Sequence, residues 1–171
     1  MISSIISKEF YNIGSNINIL WTPADSIDFK QFFNLCCSPC TIIDFDKTYY
    51  GIYDIHIVVC NNRIAYFDKC IELCKFFHCP MLVVDHGPKP NMVSGKLDTP
   101  IPIKPIHQIA ISKEIYSSWD RVHDCIIEYN VHDPKTYEPW KNLIFQLCKS
   151  NMIVKEEDIQ YEQNPQENTV K

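Results

Sequence analysis

Six short apolar runs punctuate the chain, and between them the apolar positions fall at helical spacing. Ile17 to Trp21 reads as a first strand, closed by Thr22-Pro23-Ala24-Asp25. Ser26 is a candidate N-cap for a helix that carries Phe29, Phe32, Phe33 and Cys36 on one face. Thr41-Ile42-Ile43 reads as a second strand, ending at Asp44-Phe45-Asp46. Ile55 to Cys60 is the clearest buried strand, and Asn61-Asn62 stops it. From Arg63 to His78, Ile64, Phe67, Ile71, Cys74 and Phe77 recur at three- and four-residue steps, the mark of an amphipathic helix. Pro80 then opens Met81-Leu82-Val83-Val84, which ends at Asp85-His86-Gly87. Five prolines between Pro88 and Pro105 predict a long loop. Ile106 to Ile111 is a fifth strand, and Ser112 can cap a helix bearing Ile115, Tyr116 and Trp119. Cys125 to Tyr129 is the sixth, ending at Asn130, and a last helix runs from near Tyr137 to Lys149.

Continuous apolar strands separated by helices predict parallel βαβ units covered on both sides. The expected fold is α/β and Rossmann-like: a mostly parallel sheet of about six strands with helices on both faces. A chain of 171 residues fits one such domain, placed at residues 1–155. Residues 156–171 are polar and rich in Gln and Asn, so a disordered tail is expected there.

Charge narrows the partners. With Lys plus Arg at 16 and Asp plus Glu at 21, the net charge is −5, and no basic run relieves it. Nucleic acid is therefore not an expected partner. No apolar run reaches the roughly 18 residues that span a bilayer, and the start has no basic signal-peptide region. A soluble, cytoplasmic protein is expected, with its nine cysteines as reduced thiols. Cys60, Cys70, Cys74, Cys125 and Cys148 lie within apolar runs, which predicts core packing. Four glycines alongside many Ile, Asn, Lys and Tyr residues suggest an AT-rich genome, common in some viruses and protists; for a viral chain the expected location is the host cytoplasm.

In open parallel sheets, ligands bind beyond the carboxyl ends of the strands. The polar residues at those ends are Asp25, Asp44, Asp46, Asn61, Asn62, Asp85, His86, Ser112, Asn130 and His132, expected to share one cleft beside the proline-rich loop. Turn formation alone accounts for many of them. His86 stands out, between the apolar run and Gly87.

The order of these features resembles the N-terminal domain of GT-B glycosyltransferases of the large retaining group, family four. The likeness lies in Tyr53 to Asn62, the helix after it, Pro80 to His86, the strand ending in Ser112 with Trp119, and Glu128 to Pro134 followed by Tyr137-Glu138-Pro139. It implies a sugar or glycan acceptor, with His86 near the reacting sugar and Asn61, Asn62, Asp85, Ser112 and Asn130 in substrate binding. No glycine-rich loop follows the first strand, and the turn after Tyr129 lacks the family's glycine. The family's second domain holds a nucleotide-sugar with two glutamates eight positions apart, and no glutamates here have that spacing. The resemblance thus implies the acceptor-side half, with a partner chain supplying the donor domain, or a domain that has lost catalysis.

Two other readings compete. Asp44-Phe45-Asp46-Lys47-Thr48 after a strand matches the first motif of haloacid-dehalogenase-like phosphotransferases. Asp44 would attack phosphorus, Asp46 would act as general acid and base, and magnesium would be the cofactor. A strand and helix precede the motif, and Asp85 stands where that family needs Ser or Thr. Asp44-Phe45-Asp46 also has the form of a GT-A metal motif, though a solvated strand end explains it. The third reading is a binding or scaffold protein without chemistry. Cys36-Cys37-Ser38-Pro39-Cys40 offers one Cys-x-x-Cys pair without a second, so core thiols rather than zinc are expected.

Overall fold

The computed structural model describes residues 17–23, 27–46, 50–91, 106–120 and 122–149. Asp25, Ser26, most of the proline-rich loop and the polar tail lie outside these residues. Six strands form one sheet: β1 (Asn18–Trp21), β2 (Thr41–Asp44), β3 (Ile57–Cys60), β4 (Met81–Asp85), β5 (Ile106–Ala110) and β6 (Cys125–Ile126). Their spatial order is β2-β1-β3-β4-β5-β6, and every adjacent pair is parallel. The helices are α1 (Ile27–Cys36), α2 (Arg63–Phe77), α3 (Lys113–Ser118) and α4 (Tyr137–Lys149).

Parallel neighbours need crossovers, and crossovers are right-handed. The chain moves outward from β1 to β2 and then in the opposite direction from β3 onward, so α1 and α2 fall on opposite faces. The strands alternate to match. Ile19, Trp21, Ile57, Val59, Leu82 and Val84 pack under α1 and α4. Leu20, Val58, Cys60, Met81 and Val83 pack under α2. This is a doubly wound, Rossmann-like α/β fold. Among the described residues, no helix is long and apolar enough to cross a membrane.

The α1 face is aromatic. Phe29, Phe32, Phe33 and Trp140 are fully buried, and Phe29 meets Trp21, Tyr129 and Trp140 at centroid distances of 5.5, 5.0 and 5.1 Å. The expected strand over Cys125 to Tyr129 ends early, at Ile126. Its partner β5 stops at Ala110, so only Ile127 N–H finds one more carbonyl, that of Ala110 at 3.0 Å. Tyr129 instead turns its ring onto Phe29 and Phe32. Cys125, expected in the core, is exposed on this edge strand, while Cys60, Cys70 and Cys74 are fully buried. His78 ends α2 in the left-handed region at φ 56°, a backbone conformation in which histidine is enriched among non-glycine residues.

Phe33→Ala should cost about 3–5 kcal/mol by opening a cavity in this face. Phe76, 71% exposed on α2, should cost under about 1 kcal/mol on the same change. Urea unfolding of the two variants checks the contrast, and equal losses would mean the faces are misassigned.

Candidate functional site

The strand order reverses between β1 and β3, and the carboxyl ends there are stitched together by side chains. Thr22 Oγ1 donates to Val59 O at 2.8 Å and accepts from Asn61 N–H at 2.9 Å. Asn61 Nδ2 donates to Thr22 O at 2.8 Å, which fixes the orientation of its amide. Its Oδ1 therefore faces His86, and His86 Nε2, 3.4 Å away, must be the donor. The His86 ring lies edge-on to Phe29 at 4.8 Å.

One strand along from the reversal, beyond the carboxyl ends of β3 and β4, a cleft of about 210 Å³ is lined by Asn61, Arg63, Asp85, His86, Pro88 and Trp119, with Asn62 and the half-exposed Ile64 at α2. Asn62 caps α2: its Oδ1 accepts from Ala65 N–H at 3.1 Å. Arg63, the first residue of α2, is 2% exposed, and Asp85, the last of β4, is 5% exposed. They form a two-pronged pair, Nε to Oδ1 at 3.0 Å and Nη2 to Oδ2. His123 Nε2 meets the same Oδ2 at 2.6 Å. The Arg63 guanidinium sits 4.5 Å from the Trp119 ring centroid, and Trp119 Nε1 donates to Gly87 O at 3.0 Å.

Of the residues expected at one cleft, the structure brings together Asn61, Asn62, Asp85 and His86. Of the others, those among the described residues lie outside the cleft lining. Ser112 Oγ accepts from Ile115 N–H at 3.2 Å and caps α3. Asn130 is exposed, and its Oδ1 accepts from His132 N–H within a turn. Asp44 ends the outermost strand, β2, and pairs with Lys30 at 2.5 Å, while Asp46 is exposed. Arg63 and His123 escaped the sequence reading. Arg63 read as a helix start, and His123 had no local pattern; each finds Asp85 only through the fold, across 22 and 38 positions.

Among the described residues, no group of three His, Cys, Asp or Glu side chains is arranged to hold a metal ion. Cys36 and Cys37 touch at 3.5 Å between sulfurs. Burial pushes the Cys40 thiol up to about 11 and that of Cys148 up to about 12. Burial likewise raises Cys37. Such thiols stay protonated and packed rather than poised as thiolates.

No protein-family model matches the chain, and no curated protein or solved structure matches it. The fold and the cleft define a doubly wound α/β domain with a small crevice beyond the carboxyl ends of β3 and β4.

Asp85→Ala should destabilise by about 3–5 kcal/mol, because it leaves Arg63 buried without its counter-charge. Asp44→Asn, which removes a half-exposed pair, should cost under about 1 kcal/mol. Denaturant midpoints of the two variants check the ranking. A second outcome concerns pH. A thiol whose pKa is raised by folding keeps its proton where the unfolded chain releases it, so stability falls as pH climbs from about 9 toward 11 and 12. Thermal melts from pH 8 to 11 should show this decline, and Cys148→Ala should make it shallower, with Cys37 and Cys40 carrying the remainder.

Proposed function

We propose that the domain is the acceptor-side module of a GT-B-type glycosyltransferase and holds a sugar in the cleft between β3 and β4. The observation that carries this reading is the composition of that cleft. Its two charged side chains, Arg63 and Asp85, are paired with each other, and the neutral groups, the Asn61 amide and the His86 imidazole, are joined only by a long contact of 3.4 Å that an incoming hydroxyl can share. A neutral, hydroxyl-bearing ligand matches such groups. A phosphate would have to draw Arg63 away from a buried carboxylate, at a cost of several kcal/mol.

The crevice lies beyond the carboxyl ends of the strands, the side on which doubly wound sheets bind ligands, one strand along from the order reversal. A volume of about 210 Å³ lies below the roughly 300–1,000 Å³ of pockets for drug-sized molecules, which suits one sugar-sized unit. In this reading His86 orients a hydroxyl of the acceptor, and Asn61 holds His86 Nε2 in place until that hydroxyl arrives. A nucleotide-sugar would be held by another domain, in the same polypeptide or in a partner chain. The phosphotransferase alternative gains nothing here, since Asp44 lies on the edge strand and is paired with Lys30.

The test is thermal shift with methyl glycosides of glucose, galactose, mannose and N-acetylglucosamine, set against inorganic phosphate with magnesium. A glycoside at tenfold above its Kd should stabilise by about 1.4 kcal/mol, or roughly 3–6 °C. His86→Ala should abolish the shift. Silence with every glycoside, or stabilisation by phosphate and magnesium instead, would end the sugar reading.

A further inference from the structure

We infer that His123 is a positioning residue for the cleft, acting through Asp85 to hold His86 in its recognition geometry. The inference rests on the reading of the cleft as the ligand site. His123 is 6% exposed and does not line the cleft, so its route to a ligand runs through Asp85. His86 sits in the middle of a tripeptide gripped on both flanks. On one side, Asp85 is held by Arg63 and His123. On the other, Gly87 O accepts the Trp119 indole N–H. The two grips are joined, because Arg63 lies over the Trp119 ring and His123 meets that ring edge-on at 6.1 Å.

Arg63 already neutralises the Asp85 charge, so His123 is not needed for charge balance. What it adds is a second anchor on the carboxylate, from the segment before β6. Oδ2 receives Arg63 Nη2 and His123 Nε2 together, and the carboxylate plane cannot turn without breaking one of them. Asp85 joins His86 through a single peptide bond, so a looser hold on its side chain leaves the backbone that carries His86 less restrained. Asp85, as a carboxylate, only accepts, which requires the proton of His123 on Nε2. Nδ1 of His123 is buried with no hydrogen-bond partner among the described residues. A lone pair is tolerated there more cheaply than a buried, unmatched N–H.

The experiment is NMR of the full chain without ligand, labelled at imidazole and indole nitrogens. Wild-type His123 should show the Nε2–H tautomer with a slowly exchanging proton. His123→Leu should shift the His86 imidazole and Trp119 indole signals and speed exchange of the Trp119 N–H at least about tenfold. His123→Gln, which keeps an N–H near the position of Nε2, should restore both. Leu147→Ala, a core change on α4, serves as a control for general loosening and should leave both signals in place. An Nδ1–H tautomer in the wild type, or a Gln variant no better than Leu, overturns the proposal. If His123→Leu does not fold, His123→Asn replaces it, since its shorter amide cannot reach Oδ2, and the same comparison with Gln decides. No sugar is present, so the outcome stands whether or not any glycoside binds. Where one does bind, His123→Leu should weaken it about tenfold and Gln should return it to within about twofold.

Discussion

A carboxylate buried at the end of a central strand is the constraint around which this end of the molecule is arranged. Asp85 is 5% exposed, and an uncompensated charge at such a site is costly enough to unfold a small domain. Its partners come from two other segments, Arg63 at the start of α2 and His123 just before β6, and Trp119, at the end of α3, covers the guanidinium. Satisfying one charge therefore ties the end of β4 to the start of α2 and to the segment before β6. The aromatic face under α1 and α4 supplies bulk stability by apolar burial, but that force has no direction. The directional part of the fold is concentrated at the strand ends, where the cleft is.

Much of the architecture was legible from pattern alone. Ile57 to Cys60 and Met81 to Val84 are apolar at every position because both faces of a central parallel strand are covered, and that signature needs no tertiary information. His86 and Asn61 were legible for a related reason: each follows a buried strand at once, and side-by-side strands end side by side. Ser112 and Asn130 share that local appearance and differ in outcome. Their side chains serve the next helix and the next turn, and a polar residue after a strand looks the same whether it caps, turns or faces a ligand.

What escaped the sequence was pairing over distance. Arg63 sits where a helix begins, and nothing within a turn of it says that it is buried; burial follows from Asp85 on the neighbouring strand and Trp119 on the next helix. His123 lies in a stretch with no periodicity, so its depth depends on where β6 joins the sheet. The short β6 was misjudged for the same kind of reason. Cys125 to Tyr129 is apolar enough for a full strand, but pairing needs a neighbour, and β5 ends at Ala110 to cap α3. The apolar surface of Tyr129 was meant for the aromatic face instead.

The same distinction bears on what the cleft can recognise. An open helix start beside a free arginine would favour phosphate, by the dipole and the charge together. Here the start of α2 is capped by Asn62, and the arginine is held from beneath by Asp85 and covered by Trp119. Both features that would draw an anion are answered within the protein. The groups left facing the crevice, an amide and an imidazole, are those that exchange hydrogen bonds with hydroxyls at little electrostatic cost. Neutrality at this site is thus built by the buried ions below it, and the selectivity proposed for the cleft is a consequence of how Asp85 was made tolerable.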